Sequence, residues 1–377
     1  MRQELAGGNL PRGRPATIGA MTTPHTIPLL QVGGTHREVG LQVGEACADA
    51  IHAEVAFDDS KLPCGRTHGE QLALAARYRE ATAAAYPWYT EEIGGIAEGA
   101  GVDPLALFAT MTEEIWYEPR AHPADACSDL VAVAPATAGD HVLVAHNNDM
   151  PRTYQDQLVA VEWSVEGDPV VLTIGNGAWM SAGWNSAGIS FTGNELSPND
   201  EKIGIPREIQ FRSMLRQPTM RTALAEALRV DRASSYNNVV ASRDGDVVNV
   251  EGSATDAELT GVSEAGTLVH TNHYVCERML RFEGDPEYAQ HSAIRYQRAQ
   301  ELLAAQSPGT ITVEKLRAML SDHEKAPSSL CRHPEIYGGS KDSATAFWCI
   351  ADVTEMRVWF GRGNPCDSVA QEYAFSV

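Results

Sequence analysis

The chain has 377 residues, 43% of them hydrophobic, and a formal net charge of -21. That length can bury a substantial core in one large domain or two modest ones, while the acidity excludes a polyanionic partner, because phosphate backbones are held by clustered Lys and Arg. No apolar run reaches the roughly 18 residues needed to cross a membrane, and the N-terminus lacks the roughly 7–15-residue apolar core of a secretory signal, so neither nucleic acid nor membrane is an expected partner and a cytoplasmic location is expected.

Residues 1–26 carry Gly7, Gly8, Pro11, Gly13 and Pro15 without apolar periodicity. They read as a disordered tail, with Met21 as an alternative start. From His36 the pattern is helical: Val39, Val43, Cys47, Ile51 and Val55 recur at i+4, and Gly40, Gly44 and Ala48 form an adjacent small-residue stripe that predicts close packing. Further helices are predicted over 70–86, from Pro87 to the glycines at 94–101, and from Asp103-Pro104, an N-cap followed by a first-turn proline. After residue 126 the character changes. Strands are predicted over 130–134, 142–146, 157–165, 170–174, 179–184 and 189–192, separated by turn signals. Helices over 208–216 and 220–229, a hairpin over 239–251, helices over 287–305 and 313–321, and strands over 344–351 and 356–360 complete the chain. Blocks of helix and blocks of strand predict an α+β fold with mostly antiparallel sheets.

The seven cysteines are odd in number, widely spaced and lack a C-x-x-C pair, which fits reduced thiols. Cys127, in Asp125-Ala126-Cys127-Ser128-Asp129, falls where helix gives way to strand and is expected at the first residue of that strand. A thiol there has a particular option: if the Ala126–Cys127 bond is cut, the new α-amino group can act as base for its own side chain. Inert packing is the bland alternative for any single cysteine. The cluster His146-Asn147-Asn148-Asp149 should be brought near Cys127 by hairpin pairing across Ala138-Gly139-Asp140, although Asn and Asp are also ordinary loop residues. In His270-Thr271-Asn272-His273 an asparagine amide at a strand end can donate to a developing oxyanion. The same stretch admits a weaker metal reading through His270, His273 and Cys276, for which no fourth ligand stands at a recognisable spacing.

Taken together, Gly34-Thr35 with Gly40 and Gly44, the run from Tyr89 to Ala100, Cys127, Asn147 and Asp149, Asn185-Ser186-Ala187-Gly188, His270-Thr271-Asn272-His273 and Ser329-Leu330-Cys331-Arg332 resemble one known family. The chain is similar, from about residue 27 to 362, to the acyl-coenzyme A:6-aminopenicillanic-acid acyltransferases (isopenicillin N acyltransferases), which are cysteine N-terminal-nucleophile hydrolases. The resemblance implies an αββα sandwich and a precursor that cuts itself between Ala126 and Cys127. It further implies two chains that stay associated, one from Met1 or Met21 to Ala126 that holds the mainly helical part 27–126, and one from Cys127 to Val377 that holds the nucleophile-bearing sandwich. Carried over, Cys127 is the nucleophile, Asn272 the oxyanion donor and Asp149 a residue that holds the reacting groups. Two positions depart from the family pattern: Ala126 stands where glycine is usual, and in Lys341-Asp342-Ser343 a carboxylate stands where an arginine is expected. A carboxylate reverses the preference for anionic substrate groups, so Lys341 and Asp342, with Asn147, are taken as candidate substrate contacts.

The reading is therefore a self-cleaving cysteine acyltransferase or amidohydrolase that forms an acyl-thioester on Cys127 and passes the acyl group to an amine or to water. It expects small-molecule partners, an acyl donor and an amine acceptor, with no cofactor and no metal; acyl-coenzyme A is a substrate that the resemblance admits. The rivals are an unprocessed cysteine amidase using one of the twelve histidines as base, and a catalytically silent binding protein on the same fold.

Overall fold

The computed structural model describes residues 26–56, 62–116, 126–334 and 343–375, and the backbone of two short strands before them. Those two, β1 (Gln3–Ala6) and β2 (Thr17–Ile18), precede β3 (Leu29–Gly34), which leads into a helical block: α1 (His36–Ala46), α2 (Ala48–Val55), α3 (His68–Ala85), α4 (Pro87–Ala100) and α5 (Pro104–Thr110). Strands β4 (Ala126–Ala132), β5 (Leu143–Pro151), β6 (Val159–Val165), β7 (Val171–Gly175), β8 (Met180–Asn185) and β9 (Ile189–Asn194) follow, then α6 (Arg207–Leu215) and α7 (Met220–Ala227). The chain continues through β10 (Asn237–Ser242), β11 (Val247–Gly252), β12 (Ala257–Thr260) and β13 (Thr267–His270), helices α8 (Pro286–Ala304) and α9 (Val313–Leu320), and β14 (Ser343–Asp352), β15 (Arg357–Arg362) and β16 (Gln371–Ala374).

Among the described residues two sheets result, one of seven strands in the order β1-β16-β15-β14-β5-β4-β13 and one of nine in the order β12-β11-β10-β9-β8-β7-β6-β3-β2. All neighbours are antiparallel except β1 with β16 and β3 with β6. The period-2 alternation of side chains assigns the layers. On β4, Val131 joins Val144 of β5 and Leu172 and Ile174 of β7 in a core between the sheets. Its neighbours Leu130 and Ala132 join Leu143, Ala145 and the helical residues Ala299, Leu303 and Leu316 on the other face. The opposite face of the nine-stranded sheet, with Val32, Val161 and Trp163, packs on Val39, Val43, Ile93 and Ile209. The order helix, sheet, sheet, helix is the expected αββα sandwich.

Most predicted elements recur within one or two residues, but β4 begins at Ala126 rather than residue 130, β5 runs on to Pro151 rather than ending at 146, and β12 and β16 are not predicted; three further differences bear on the packing. The helix read continuously from His36 to Val55 breaks at Cys47 (φ -110°, ψ 17°), and the break lets Ile51 enter the same core as Val39 and Val43. Within the segment read as a tail, β1 and β2 each extend one sheet, β1 along β16 and β2 along β3; a sheet edge offers unpaired backbone groups to whatever chain passes it. Strand β3, which carries no alternation, sits parallel to β6.

The glycine stripe has a direct physical cause. Helices α1 and α4 cross so closely that a Cβ on Gly40 or Gly44 would lie 2.1 Å from the carbonyl oxygens of Glu92 or Ile96, and one on Gly95 would lie 2.3 Å from that of Arg37. Below the crossing, Arg212 of α6 donates from Nε and Nη2 to the two carboxylate oxygens of Glu92, both at 3.0 Å. Gly94, next along α4, would meet nothing within 4 Å. Gly95→Ala is therefore expected to destabilise by about 1–3 kcal/mol or more through forced separation of the helices. Gly94→Ala should instead gain up to about 1 kcal/mol from helix propensity. Urea midpoints of the two variants check the pair, and equal shifts in the same direction would contradict the crossing.

Candidate active site

Strand β4 begins at Ala126, so Cys127 is its second residue rather than its first. It pairs with Asn148 of β5 across the antiparallel hairpin, as the Ala138-Gly139-Asp140 turn predicts, while Ala126 pairs with Asp149. Since Val131 faces the space between the sheets, Cys127, four residues earlier, faces the same way. There it opens on a cavity of about 390 Å³. Trp116, Met150, Tyr154, Trp179, Met180 and Phe211 give this cavity an aromatic and thioether wall, and Glu54, Glu113, Glu195 and Glu208 add carboxyl groups. Among the described residues the lining contains no histidine, lysine or arginine.

Every polar atom of Cys127 is engaged. Its backbone N–H donates to Asn272 Oδ1 at 2.7 Å, its carbonyl oxygen accepts from Arg295 Nη1 at 2.7 Å, and its thiol accepts from Asn148 Nδ2 at 3.5 Å. Arg295, 3% exposed on α8, also donates to Ser128 Oγ at 2.9 Å and, through Nη2, to Asn272 Oδ1 at 3.0 Å. The amide nitrogen of Asn272 donates to the Glu195 carbonyl at 3.1 Å, which leaves one of its two N–H groups for another acceptor. Asn272 is thus tied to the nucleophile's own backbone.

Burial pushes the Cys127 thiol well above its ordinary value, and the carboxylates of Asp149, Asp129 and Glu195 push it further, against the opposing charge of Arg295. In the unbroken chain the thiol is protonated. Burial also raises the carboxyl of Asp149, outweighing the charges of Arg332 and Arg295 and the hydrogen bond from Thr345 Oγ1 at 2.7 Å. A carboxylate whose affinity for a proton is raised in this way is better suited to accept one. Around the cavity, burial raises Glu208 to about 8 and also raises Glu54 and Glu113.

The structure thus brings Ala126, Cys127, Asp149 and Asn272 together. Asn147 is not with them. Its side chain turns to the helical face of the sheet, where Nδ2 donates to the carbonyls of Leu320 and Leu330 at 2.9 Å each, so its role there is to hold the loop after α9. Its neighbour Asn148 takes the place beside the thiol. Lys341 and Asp342 lie outside the described residues. His270 is bound to Glu251 at 2.8 Å and to Asn194 at 3.2 Å, and His273 to Ser292 at 2.8 Å; with Cys276, they do not converge on one point. Arg295 is a site residue that the sequence motifs do not single out. A signal is nonetheless present, since Ser292, Arg295, Ala299 and Leu303 make the buried stripe of α8, and an arginine on an inward stripe requires a partner.

A family model described as acyl-coenzyme A:6-aminopenicillanic acid acyl-transferase matches residues 136–367, beginning just past Cys127. The acyl-coenzyme A:6-aminopenicillanic-acid-acyltransferase 40 kDa form of Emericella nidulans is 23% identical over 339 residues, spanning 88% of this chain and 91% of that protein. Among solved structures, a mutant of the conjugated bile acid hydrolase from Clostridium perfringens is similar at 12% identity and a TM-score of 0.33, over 66% of this chain and 97% of that one. Penicillin V acylase from Agrobacterium tumefaciens is similar at 12% identity and a TM-score of 0.37, over 62% of this chain and 82% of that one.

Proposed function

The chain belongs to the acyl-coenzyme A:6-aminopenicillanic acid acyltransferase family, and from that membership we propose that it is an enzyme activated by its own cleavage between Ala126 and Cys127, using Cys127 as nucleophile for acyl transfer or amide hydrolysis. In the first event Cys127 Sγ attacks the Ala126 carbonyl carbon, the peptide nitrogen leaves as the α-amine of Cys127, and water releases the thioester. The products are the chain ending at Ala126 and the chain beginning at Cys127. In turnover Sγ attacks the acyl donor, the leaving group takes the proton that the α-amine drew from the thiol, and an amine or water attacks the resulting thioester.

The observation that carries this reading is the hydrogen bond from the Cys127 N–H to Asn272 Oδ1, made by a residue whose thiol opens on a cavity. A nitrogen held this way would remain oriented beside the thiol once it became an amine. The amine would also remedy the thiol's main handicap. An ammonium beside the sulfur offsets the carboxylates that disfavour its ionisation, and the ordinary values of thiol and α-amine, about 8.5 and about 7.7–8.0, are close enough for proton exchange near neutral pH. Asn272 would donate its remaining amide hydrogen to the oxyanion, and Asp149 would accept a proton during cleavage. With no histidine in the described lining, the cavity favours this reading over a cysteine–histidine amidase. Its apolar wall and carboxyl groups favour an apolar acyl group with an amine nearby.

Intact-mass measurement followed by an acyl screen tests the proposal. Two fragments, the larger beginning at Cys127, and turnover of an apolar acyl thioester or amide are expected. An uncut chain with full activity after long incubation would refute self-cleavage and return the unprocessed amidase to first place.

A further inference from the structure

On the helical side of the seven-stranded sheet, outside the lining of the cavity, four side chains meet that the reaction does not use: His323 and His333 from the chain after α9, with Cys331 between them, and Cys366 from beyond β15. Their ligand atoms all lie within 4.8 Å of one another. The His323 and His333 Nε2 atoms are 3.1 Å apart, Cys331 Sγ and Cys366 Sγ are 3.7 Å apart, and His333 Nε2 lies 3.5 Å from the first sulfur and 3.4 Å from the second.

Hydrogen bonding alone serves this group poorly. The Nε2 of a histidine carries either one proton or one lone pair, yet that of His333 faces a nitrogen and two sulfurs at once. A single cation at the centre would engage all four atoms. The spacing fits one cation in particular: a tetrahedral zinc with Zn–S of about 2.3 Å and Zn–N of about 2.0–2.1 Å has S···S edges of about 3.8 Å, S···N edges of about 3.5 Å and an N···N edge of about 3.3 Å. Two thiolates and two neutral imidazoles make a closed, charge-balanced set with no open position, which is the structural type of zinc site rather than the catalytic type. Outer support is also present, since Asn364 Nδ2 donates to Cys331 Sγ at 3.3 Å and to the Arg332 carbonyl at 2.7 Å; groups of this kind orient metal ligands.

We propose that His323, Cys331, His333 and Cys366 form a structural Cys2His2 site for a zinc ion. Its consequence follows from the residue between two of the ligands. The backbone N–H of Arg332 donates to Thr345 Oγ1 at 3.0 Å, its carbonyl accepts from the Thr345 N–H at 3.1 Å, and Thr345 Oγ1 donates to Asp149. Zinc at 331 and 333 fixes the segment that places the Arg332 charge near Asp149, so the metal acts on the reaction through a positioning contact. The assignment of the metal does not depend on Cys127 being the nucleophile.

Metal analysis of the full-length protein, expressed with zinc and desalted, tests the site. About one zinc per chain is expected, falling below about a tenth of that in Cys366→Ser and His323→Ala, both exposed ligands whose loss leaves the core intact. Cys64→Ser, at an exposed cysteine outside the group, should keep its zinc. Cobalt added to the chelator-treated protein should give thiolate-to-metal charge transfer and the intense visible bands of tetrahedral cobalt, and the melting temperature should rise with metal in the wild type but not in Cys366→Ser. Wild-type protein that holds no zinc and gives cobalt only its hydrated spectrum overturns the proposal. So does a mass two hydrogens lighter with Cys331 linked to Cys366, which would make the pair a disulfide.

Discussion

Cys127→Ala protein is expected to remain a single full-length chain and to turn over no acyl substrate, because one sulfur is assigned to both events. The loss should reach the detection limit in each. Removing a thiol that touches Asn148 and already faces a cavity deletes little buried apolar surface and leaves the backbone bonds to Asn272 and Arg295 in place, so folding should survive, and thermal melting should lie near that of the wild type. Cys127→Ser is the finer probe. A serine hydroxyl is far harder to ionise than a thiol, and here it would stand among the same three carboxylates that already disfavour the thiolate. It should therefore be cut slowly or not at all, with turnover lower than cleavage, since cleavage needs one event and turnover many. Denaturing gels over a time course, with acyl release assayed on the same samples, measure both. A Cys127→Ala protein that still turns over acyl substrates would remove Cys127 from the chemistry and leave its hydrogen bonds as packing.

Much of this arrangement can be read without coordinates, and the parts that cannot share a cause. Period-2 alternation locates β4 through β9 to within a few residues, and Asp103-Pro104 caps α5 as expected, with Asp103 Oδ1 accepting from the Leu105 and Ala106 N–H groups. The hairpin that sets Cys127 opposite Asn148 follows from one turn signal and two short strands. All of these are local. The side of the sheet on which each residue of His146-Asn147-Asn148-Asp149 projects is not, because polar residues carry no alternation to set the register; hence the pattern points to Asn147 where Asn148 sits. Arg295 meets Cys127 across 168 positions, and nothing in its own helix names that partner. The group of His323, Cys331, His333 and Cys366 is assembled from two segments, so a search for closely spaced cysteine pairs passes over it. Strand β3, which lies parallel to β6, escapes the alternation pattern because the pairs Leu29-Leu30 and Gly33-Gly34 leave too short an alternating run between them.

Asn272→Ala is expected to reduce kcat by about 10²–10³, the effect of removing one oxyanion donor. Its cost to stability is a separate matter, because three contacts are lost together. The Cys127 nitrogen and Arg295 Nη2 lose an acceptor, and the Glu195 carbonyl loses a donor. Buried groups left in that state cost about 1–3 kcal/mol each, so a lowered melting temperature is expected whether or not the residue takes part in chemistry. Asn272→Asp discriminates. The carboxylate keeps an acceptor for the Cys127 nitrogen and strengthens the contact with Arg295, restoring much of the anchoring, but it has no N–H to offer an oxyanion and adds negative charge where more develops. If Asn272 stabilises the transition state, Asn272→Asp should melt closer to wild type than Asn272→Ala yet lose at least as much kcat, with KM changed less than kcat in both. If Asn272 only anchors the nucleophile, Asn272→Asp should recover activity as it recovers stability. Both variants must first be shown to be cleaved by their masses, since an uncut precursor is inactive for a different reason. A cleaved, folded Asn272→Ala protein within about threefold of wild-type kcat would move the oxyanion donor elsewhere, to backbone N–H groups around the cavity.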